Sequence, residues 1–224
     1  MIRVFIGFDR NENVAYHVLS QSILEHTSLP VSITPLYLPA LNFDRERDAR
    51  QSTEFSFTRF LVPYLCNLEG TAIFMDCDML VRRDLKDLLL LQDPKCAVQV
   101  VQHDYEPNPE NKFFGQPQSV YPKKNWSSVM LFNCEHVDCA KLSKLTVKVA
   151  AGAFLHQFKW TDKIGELPPE WNYLVGESVP YQEDPAIVHF TRGGPYIKGF
   201  EHSQFAEEWH DMYRKTIYCK DSVL

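Results

Sequence analysis

The chain has 224 residues and a mass of 26.0 kDa, which is room for one sizeable core rather than two full domains. Hydrophobic residues make up 45% and aromatic residues 13%, a globular composition that excludes a disordered or collagenous chain. Acidic residues outnumber basic ones by 29 to 23 and the basic runs are no longer than the pairs Arg82-Arg83 and Lys123-Lys124, so the electrostatic footprint of a nucleic-acid binder is missing.

The opening segment MIRVFIGFDRNEN meets polar residues too soon for a signal peptide, and no stretch has the length and apolarity of a membrane span. The six cysteines lie mostly in apolar runs without a CxxC pair, the pattern of reduced thiols packed in a core. A cytoplasmic location without an integral membrane segment is therefore expected.

RVFIGF, from Arg3 to Phe8, is nearly all apolar and β-prone, as in a strand covered on both faces of a parallel sheet. Asn11 is placed to cap a helix in which Val14, Ala15, Val18, Leu19, Ser22 and Ile23 recur at helical spacing, up to the stop at Thr27-Ser28-Leu29-Pro30. A second strand, Val31 to Leu38, contains Pro35 and belongs toward a sheet edge. After a polar loop, TEFSFTRFLVPYL reads as a helix that Pro63 bends or ends. TAIFMD, residues 71–76, is a central strand. Asp84 opens the helical stretch DLKDLLLL, and CAVQVVQH, residues 96–103, returns to strand.

The long loop DYEPNPENKFFGQPQSVYPKKN is rich in Pro, Asn and Gln and suits a lid or an acceptor-binding wall. SVMLFN, residues 128–133, is a buried strand. It is followed by a helical stretch at 136–148 and an amphipathic piece ending at Trp160. AIVHF, residues 186–190, is the last strand, and the helix expected at 201–216 carries Phe205, Trp209 and Tyr213 along one face. The expectation is a single α/β domain over residues 1–224, with a nucleotide-binding half at 1–103 and an acceptor and sugar half at 104–224.

The segment Phe74-Met75-Asp76-Cys77-Asp78-Met79-Leu80 brings two carboxylates off the end of an apolar strand, on one side of the extended chain. At the C-terminal end of a parallel strand they occupy the edge where open α/β sheets bind ligands. Facing one point they repel and call for a divalent cation whose shell is completed by phosphates and water. Capping or turn formation explains the pair equally well when it is taken alone. Cys134, His136 and Cys139 lack a fourth ligand for zinc, and His202 and His210 read as surface residues on the last helix.

The run AIFMDCDMLVRRDLKDLL resembles the DxD segment of nucleotide-sugar glycosyltransferases of the GT-A fold, particularly glycosyltransferase family eight. VFIGFDRNENVAYHVLSQSILEH is similar to that family's first strand and helix, EFSFTRFLVPYL to its arginine-containing helix, and VHFTRGGPYIKG to its late histidine segment. The implied fold is α/β, with a mixed, mostly parallel central sheet flanked by helices. The implied activity is transfer of a hexose from a UDP-sugar to a glycan or other hydroxyl acceptor, with retention of anomeric configuration. A sugar-1-phosphate nucleotidyltransferase and a non-catalytic nucleotide-sugar binding protein are the alternatives. The single glycine in GFDRNEN argues against the first, and the changed acceptor side keeps the second open.

The resemblance maps the metal ligands onto Asp76, Asp78 and His189, a mixed oxygen and imidazole set that suits Mn²⁺ over the alternative, Mg²⁺. It places Gly7, Phe8, Asp9 and Asn11 at the uracil and ribose, with Phe8 or Tyr16 stacking on the base. Asp9 either accepts from uracil N3 or caps the helix. Cys77 falls among the donor contacts, and Arg59 corresponds to the arginine that approaches the donor phosphate and sugar. Arg192, Gly193, Gly194 and Lys198 form the loop that closes over the diphosphate, with Arg192 or Lys198 as its cation. Gln157 lies near the anomeric carbon by the same resemblance, so Gln157, Arg59 and Lys198 are the catalytic candidates. Trp126, Ser127 and Ser128 replace the family's usual Asn-Ala-Gly or Asn-Ser-Gly, and Leu155-His156-Gln157 stands at its Asp-Gln-Asp, so the sugar contacts differ. Trp171-Asn172 matches a segment expected to be structural.

Overall fold

The computed structural model describes residues 1–47, 51–104, 122–177 and 181–218. Most of the long loop expected as a lid, residues 105–121, lies outside them. The main sheet is built from β1 (Ile2–Gly7), β2 (Val31–Leu36), β3 (Thr71–Met75), β5 (Val98–Val100), β6 (Val129–Asn133) and β7 (Ile164–Glu166) in the order β2-β1-β3-β6-β5-β7. β1 pairs in parallel with β2 and β3, β5 pairs in parallel with β7, and β6 runs against both its neighbours. Five of six strands therefore share a direction, the mostly parallel α/β sheet that the sequence implies. β2 is an edge strand, so Pro35 removes no donor from a central ladder.

A second sheet, β4 (Met79–Val81), β9 (Ile187–His189) and β8 (Tyr173–Leu174), lies in the order β4-β9-β8. α1 (Asn13–His26) buries Ala15, Val18, Leu19, Ser22 and Ile23, and α6 (Ala206–Thr216) packs against it. Leu80, Val188, Phe190, Trp209 and Met212 close a smaller core with Val18.

Four helices differ from their expected extents for local reasons. Asp9, not Asn11, supplies the first cap by accepting from the Asn11 N–H at 2.9 Å, and a 3₁₀ turn at Arg10–Glu12 precedes α1. The segment around Arg59 is a 3₁₀ turn, Thr58–Leu61, followed by α2 (Val62–Leu65). Pro63 sits in the first turn of α2, because its ring and missing N–H cannot continue a helix entering from Arg59. The stretch 136–148 splits into a 3₁₀ turn and α4 (Lys144–Val149), since the Ser143 hydroxyl accepts from the Thr146 N–H at 3.1 Å and starts a new helix. α3 (Leu85–Leu89) begins at its Asp84 cap as expected, α5 (Gly152–His156) precedes Gln157, and α6 starts only after Phe205, whose φ of 63° breaks the preceding turn.

Candidate active site

Register sets the geometry. Ile6 lies opposite Met75, so the end of β1 and the turn after β3 leave the same sheet edge, between strands reached by opposite connections. On the other side of β3 the Asp76 N–H donates to the Ser128 carbonyl at 2.9 Å, which brings residues 125–128 to that edge as well. β4 then turns into the second sheet, where Met79 faces His189 and the Phe190 N–H donates to the Asp78 carbonyl at 2.9 Å.

This arrangement converges Asp76, Asp78 and His189, whose ligand atoms lie within 4.8 Å of one another. His189 Nε2 is 3.4 Å from Asp78 Oδ1, and its Nδ1 is 3.0 Å from Asn172 Oδ1. An amide oxygen only accepts, so Nδ1 carries a proton and Nε2 is the nitrogen that faces the carboxylates and could ligate a cation. Asn172 is fully buried and donates through Nδ2 to Ser128 Oγ at 2.8 Å and to the Asn125 carbonyl at 3.2 Å. A ligating histidine held through its other nitrogen is the usual outer support of a metal ligand, and the donor set therefore fits a divalent cation. The Trp171-Asn172 segment thus does more than its expected structural role, because Asn172 fixes the histidine tautomer.

Arg59 joins this group. Its Nη1 lies 2.8 Å from Asp76 Oδ1 and donates to the Ser127 carbonyl at 2.9 Å. The guanidinium packs over the rings of Phe55 and Phe74, at 5.2 and 5.0 Å from their centres.

The N-terminal candidates are arranged less uniformly. A Cβ on Gly7 would lie 2.3 Å from the Phe55 ring, so glycine is needed for that packing. Phe8 meets Tyr16 and Tyr37 edge-on, each at 5.4 Å. Asp9 is buried, with one oxygen on the Asn11 N–H and the other on the Glu54 N–H at 3.0 Å, so the capping role is filled. Asn11 is exposed.

The loop after β9 buries Thr191, Gly193 and Gly194 and leaves Lys198 exposed. Arg192 Nε lies 3.9 Å from Glu177, and with Gly176, Gly193 and Gln204 it lines a cavity of about 230 Å³. Gln157 follows α5 as its partly buried C-terminal cap.

Sequence reasoning missed Glu12. It is 3% exposed, accepts from the Tyr196 hydroxyl at 2.6 Å and has Cys77 Sγ 3.9 Å from its second oxygen. Burial, and then the neighbouring Asp78, pushes its carboxyl up to about 8. Cys77 turns its thiol inward, where burial and Glu12 raise it well above the usual thiol range. The only local signal was an acidic residue one turn before an apolar helix face, and its partner lies 184 residues away.

His156, next to Gln157, is also buried. Its Nδ1 is 2.9 Å from Ser127 Oγ, and burial followed by the nearby Arg59 pushes its pKa down to about 3. Between about pH 3 and the ordinary value near 6.5, the unfolded chain binds a proton here that the native protein does not. Stability from this residue is therefore complete above pH 6.5 and is lost as pH falls through that window, by up to about 1.4 kcal/mol per pH unit. His156→Gln should flatten the fall in melting temperature between pH 7 and pH 4. An unchanged slope would show that this imidazole does not govern the acid sensitivity.

No family model matches the chain. Protein CDI of Arabidopsis thaliana is 44% identical over 217 residues, covering 92% of this chain and 84% of that protein. Among solved structures, the bifunctional glycosyltransferase WbbM superposes with a TM-score of 0.63 at 15% identity, over 95% of this chain and 49% of WbbM. The glycosyltransferase GlyE of Streptococcus pneumoniae TIGR4 gives 0.63 at 17% identity, over 95% of this chain and 60% of GlyE. The chain thus spans about half to three-fifths of these two structures. The galactosyltransferase LgtC, in complex with donor and acceptor sugar analogs, gives 0.63 at 12% identity over 98% of both chains. Among the described residues, no helix is long and apolar enough to cross a membrane. The chain belongs to the family of Arabidopsis Protein CDI, and its fold is the GT-A glycosyltransferase fold that its resemblance to family eight implies.

Proposed function

We propose that this protein is a metal-dependent glycosyltransferase that moves a hexose from a UDP-sugar to a hydroxyl of a glycan or similar acceptor, with retention. The observation that carries the reading is the convergence of Asp76, Asp78 and His189 at the sheet edge, with Arg59 on Asp76. Those three side chains would hold Mn²⁺, which when bound supplies positive charge to a diphosphate leaving group. Arg59 orients Asp76, and Arg192 or Lys198 adds a cation on the phosphate side. Gln157 orients the sugar near its anomeric carbon. In front-face transfer the acceptor oxygen bonds to that carbon as its bond to the phosphate oxygen breaks. The acceptor's proton passes to the departing phosphate oxygen. This leaves Glu12 out of the chemistry, since both its oxygens face protein groups.

The test is thermal melting with UDP, GDP and CMP, each with Mn²⁺ and with EDTA. Ligand at about a hundred times its Kd adds about 2.7 kcal/mol, a rise of several degrees for a chain of this size. UDP with Mn²⁺ should give that rise, whereas GDP, CMP and the EDTA samples should not. Equal or absent shifts across the series would remove the donor assignment, and an inverted product by NMR would remove retention.

A further inference from the structure

The loop that follows His189 is tied to the opposite end of the chain by one side-chain hydrogen bond. The Tyr196 hydroxyl donates to Glu12 Oε1 at 2.6 Å, while Glu12 Oε2 faces Cys77, the residue between Asp76 and Asp78. One buried carboxyl group therefore joins the turn after β1, the turn after β3 and the glycine loop. The Tyr196 ring is also packed against both the loop and α6. A Cβ on Gly194 would lie 2.2 Å from the Tyr196 ring, so the ring rests directly on the Gly194 backbone. Trp209 of α6 packs against the same tyrosine with centroids 5.3 Å apart, and Tyr213 stacks on Trp209 at 5.7 Å. Gly193, at φ 146°, adopts a backbone that side chains disfavour, and a Cβ there would meet Phe200 at 2.9 Å.

A carboxyl group placed among Asp9, Asp76 and Asp78 and removed from water resists ionisation, and its oxygens are costly to bury unless they are hydrogen-bonded. Packing alone would be served better by an apolar residue. We infer that Glu12 and Tyr196 are positioning residues whose hydrogen bond holds the Gly193-Gly194 backbone in place before a nucleoside diphosphate arrives. This inference rests on the donor-site reading proposed above and names the part of the site that is prebuilt. A loop ordered in advance spares the ligand the entropy of ordering it, so the effect falls on affinity.

Tyr196→Phe keeps the ring and removes only the hydroxyl. With Mn²⁺ present it should weaken UDP binding and raise the donor KM by about tenfold, leaving kcat at saturating donor within about twofold. Glu12→Gln keeps an acceptor oxygen and should bind UDP nearly as wild type does. Unchanged UDP affinity in Tyr196→Phe, or a fall in kcat and melting temperature at constant KM, would overturn the inference. Amide exchange needs no ligand and separates the two readings. The Gly193 and Ile197 amides, bonded to Phe190 and Gly194 at 2.8 and 2.9 Å, should exchange faster in Tyr196→Phe. Faster exchange with no UDP binding by the wild type would retain the latch and remove the donor reading, whereas unchanged exchange would remove the latch itself.

Discussion

On the proposed metal-site reading, Asp78→Asn should abolish Mn²⁺-dependent stabilisation and lower transfer activity at least about a hundredfold, while the metal-free protein should melt no lower than wild type. The two halves of this result have one cause. Asp76 and Asp78 are crowded with His189 into a space of 4.8 Å, and two carboxylates at that spacing repel. Asparagine keeps the shape and one acceptor oxygen but removes a charge, which relieves the repulsion and removes the attraction for a cation. His189 cannot compensate, because Asn172 engages its Nδ1 and leaves a single ring nitrogen for the site. Melting curves of wild type and variant, with Mn²⁺ and with EDTA, check the prediction. An equal Mn²⁺-induced rise in both proteins would show that Asp78 is not a ligand.

The parts of the site that were legible in the sequence are those carried by short contiguous segments. An apolar run ending in Asp76-Cys77-Asp78 declares both a buried strand and the point where it leaves the sheet, and the β3 register places that point at the ligand edge. RVFIGF and AIVHF were readable for the same reason, since a strand covered on both faces must be apolar throughout. The meeting of His189 with Asp76 and Asp78 was accessible only through the family resemblance, because no local pattern encodes which distant strand β4 will meet.

What remained hidden depends on long-range partners. Glu12 looks like an ordinary helix-turn residue until Tyr196 is folded against it, and Asn172 looks structural until His189 lies beside it. His156 gives no sign in the sequence that it is buried, and only the fold sets its ring against Ser127 and near Arg59, where it is held neutral. The helix boundaries failed for a more local reason. Asp9, Ser143 and Pro63 each impose a start that apolar spacing alone does not register.

Arg59→Met should be the most destabilising of these substitutions and should also lose activity. The arginine and Asp76 side chains are only 7% and 15% exposed, and their nearest atoms are 2.8 Å apart. Removing one partner of such a pair leaves the other charge poorly solvated, at a cost of about 3 kcal/mol. For a chain of this length that lowers the melting temperature by about 6–12 °C. Arg59→Lys should recover little, since one ammonium cannot present the planar fork that meets Asp76 and the Ser127 carbonyl over Phe55 and Phe74. The decisive comparison is the double variant Arg59→Met with Asp76→Asn. If the cost of Arg59→Met is the stranded carboxylate, neutralising Asp76 restores much of the melting temperature while activity stays absent. A double variant no more stable than Arg59→Met would place the loss in packing against the two phenylalanines instead. Stability and activity part company here because the charge left stranded without Arg59 is the charge that would hold the cation.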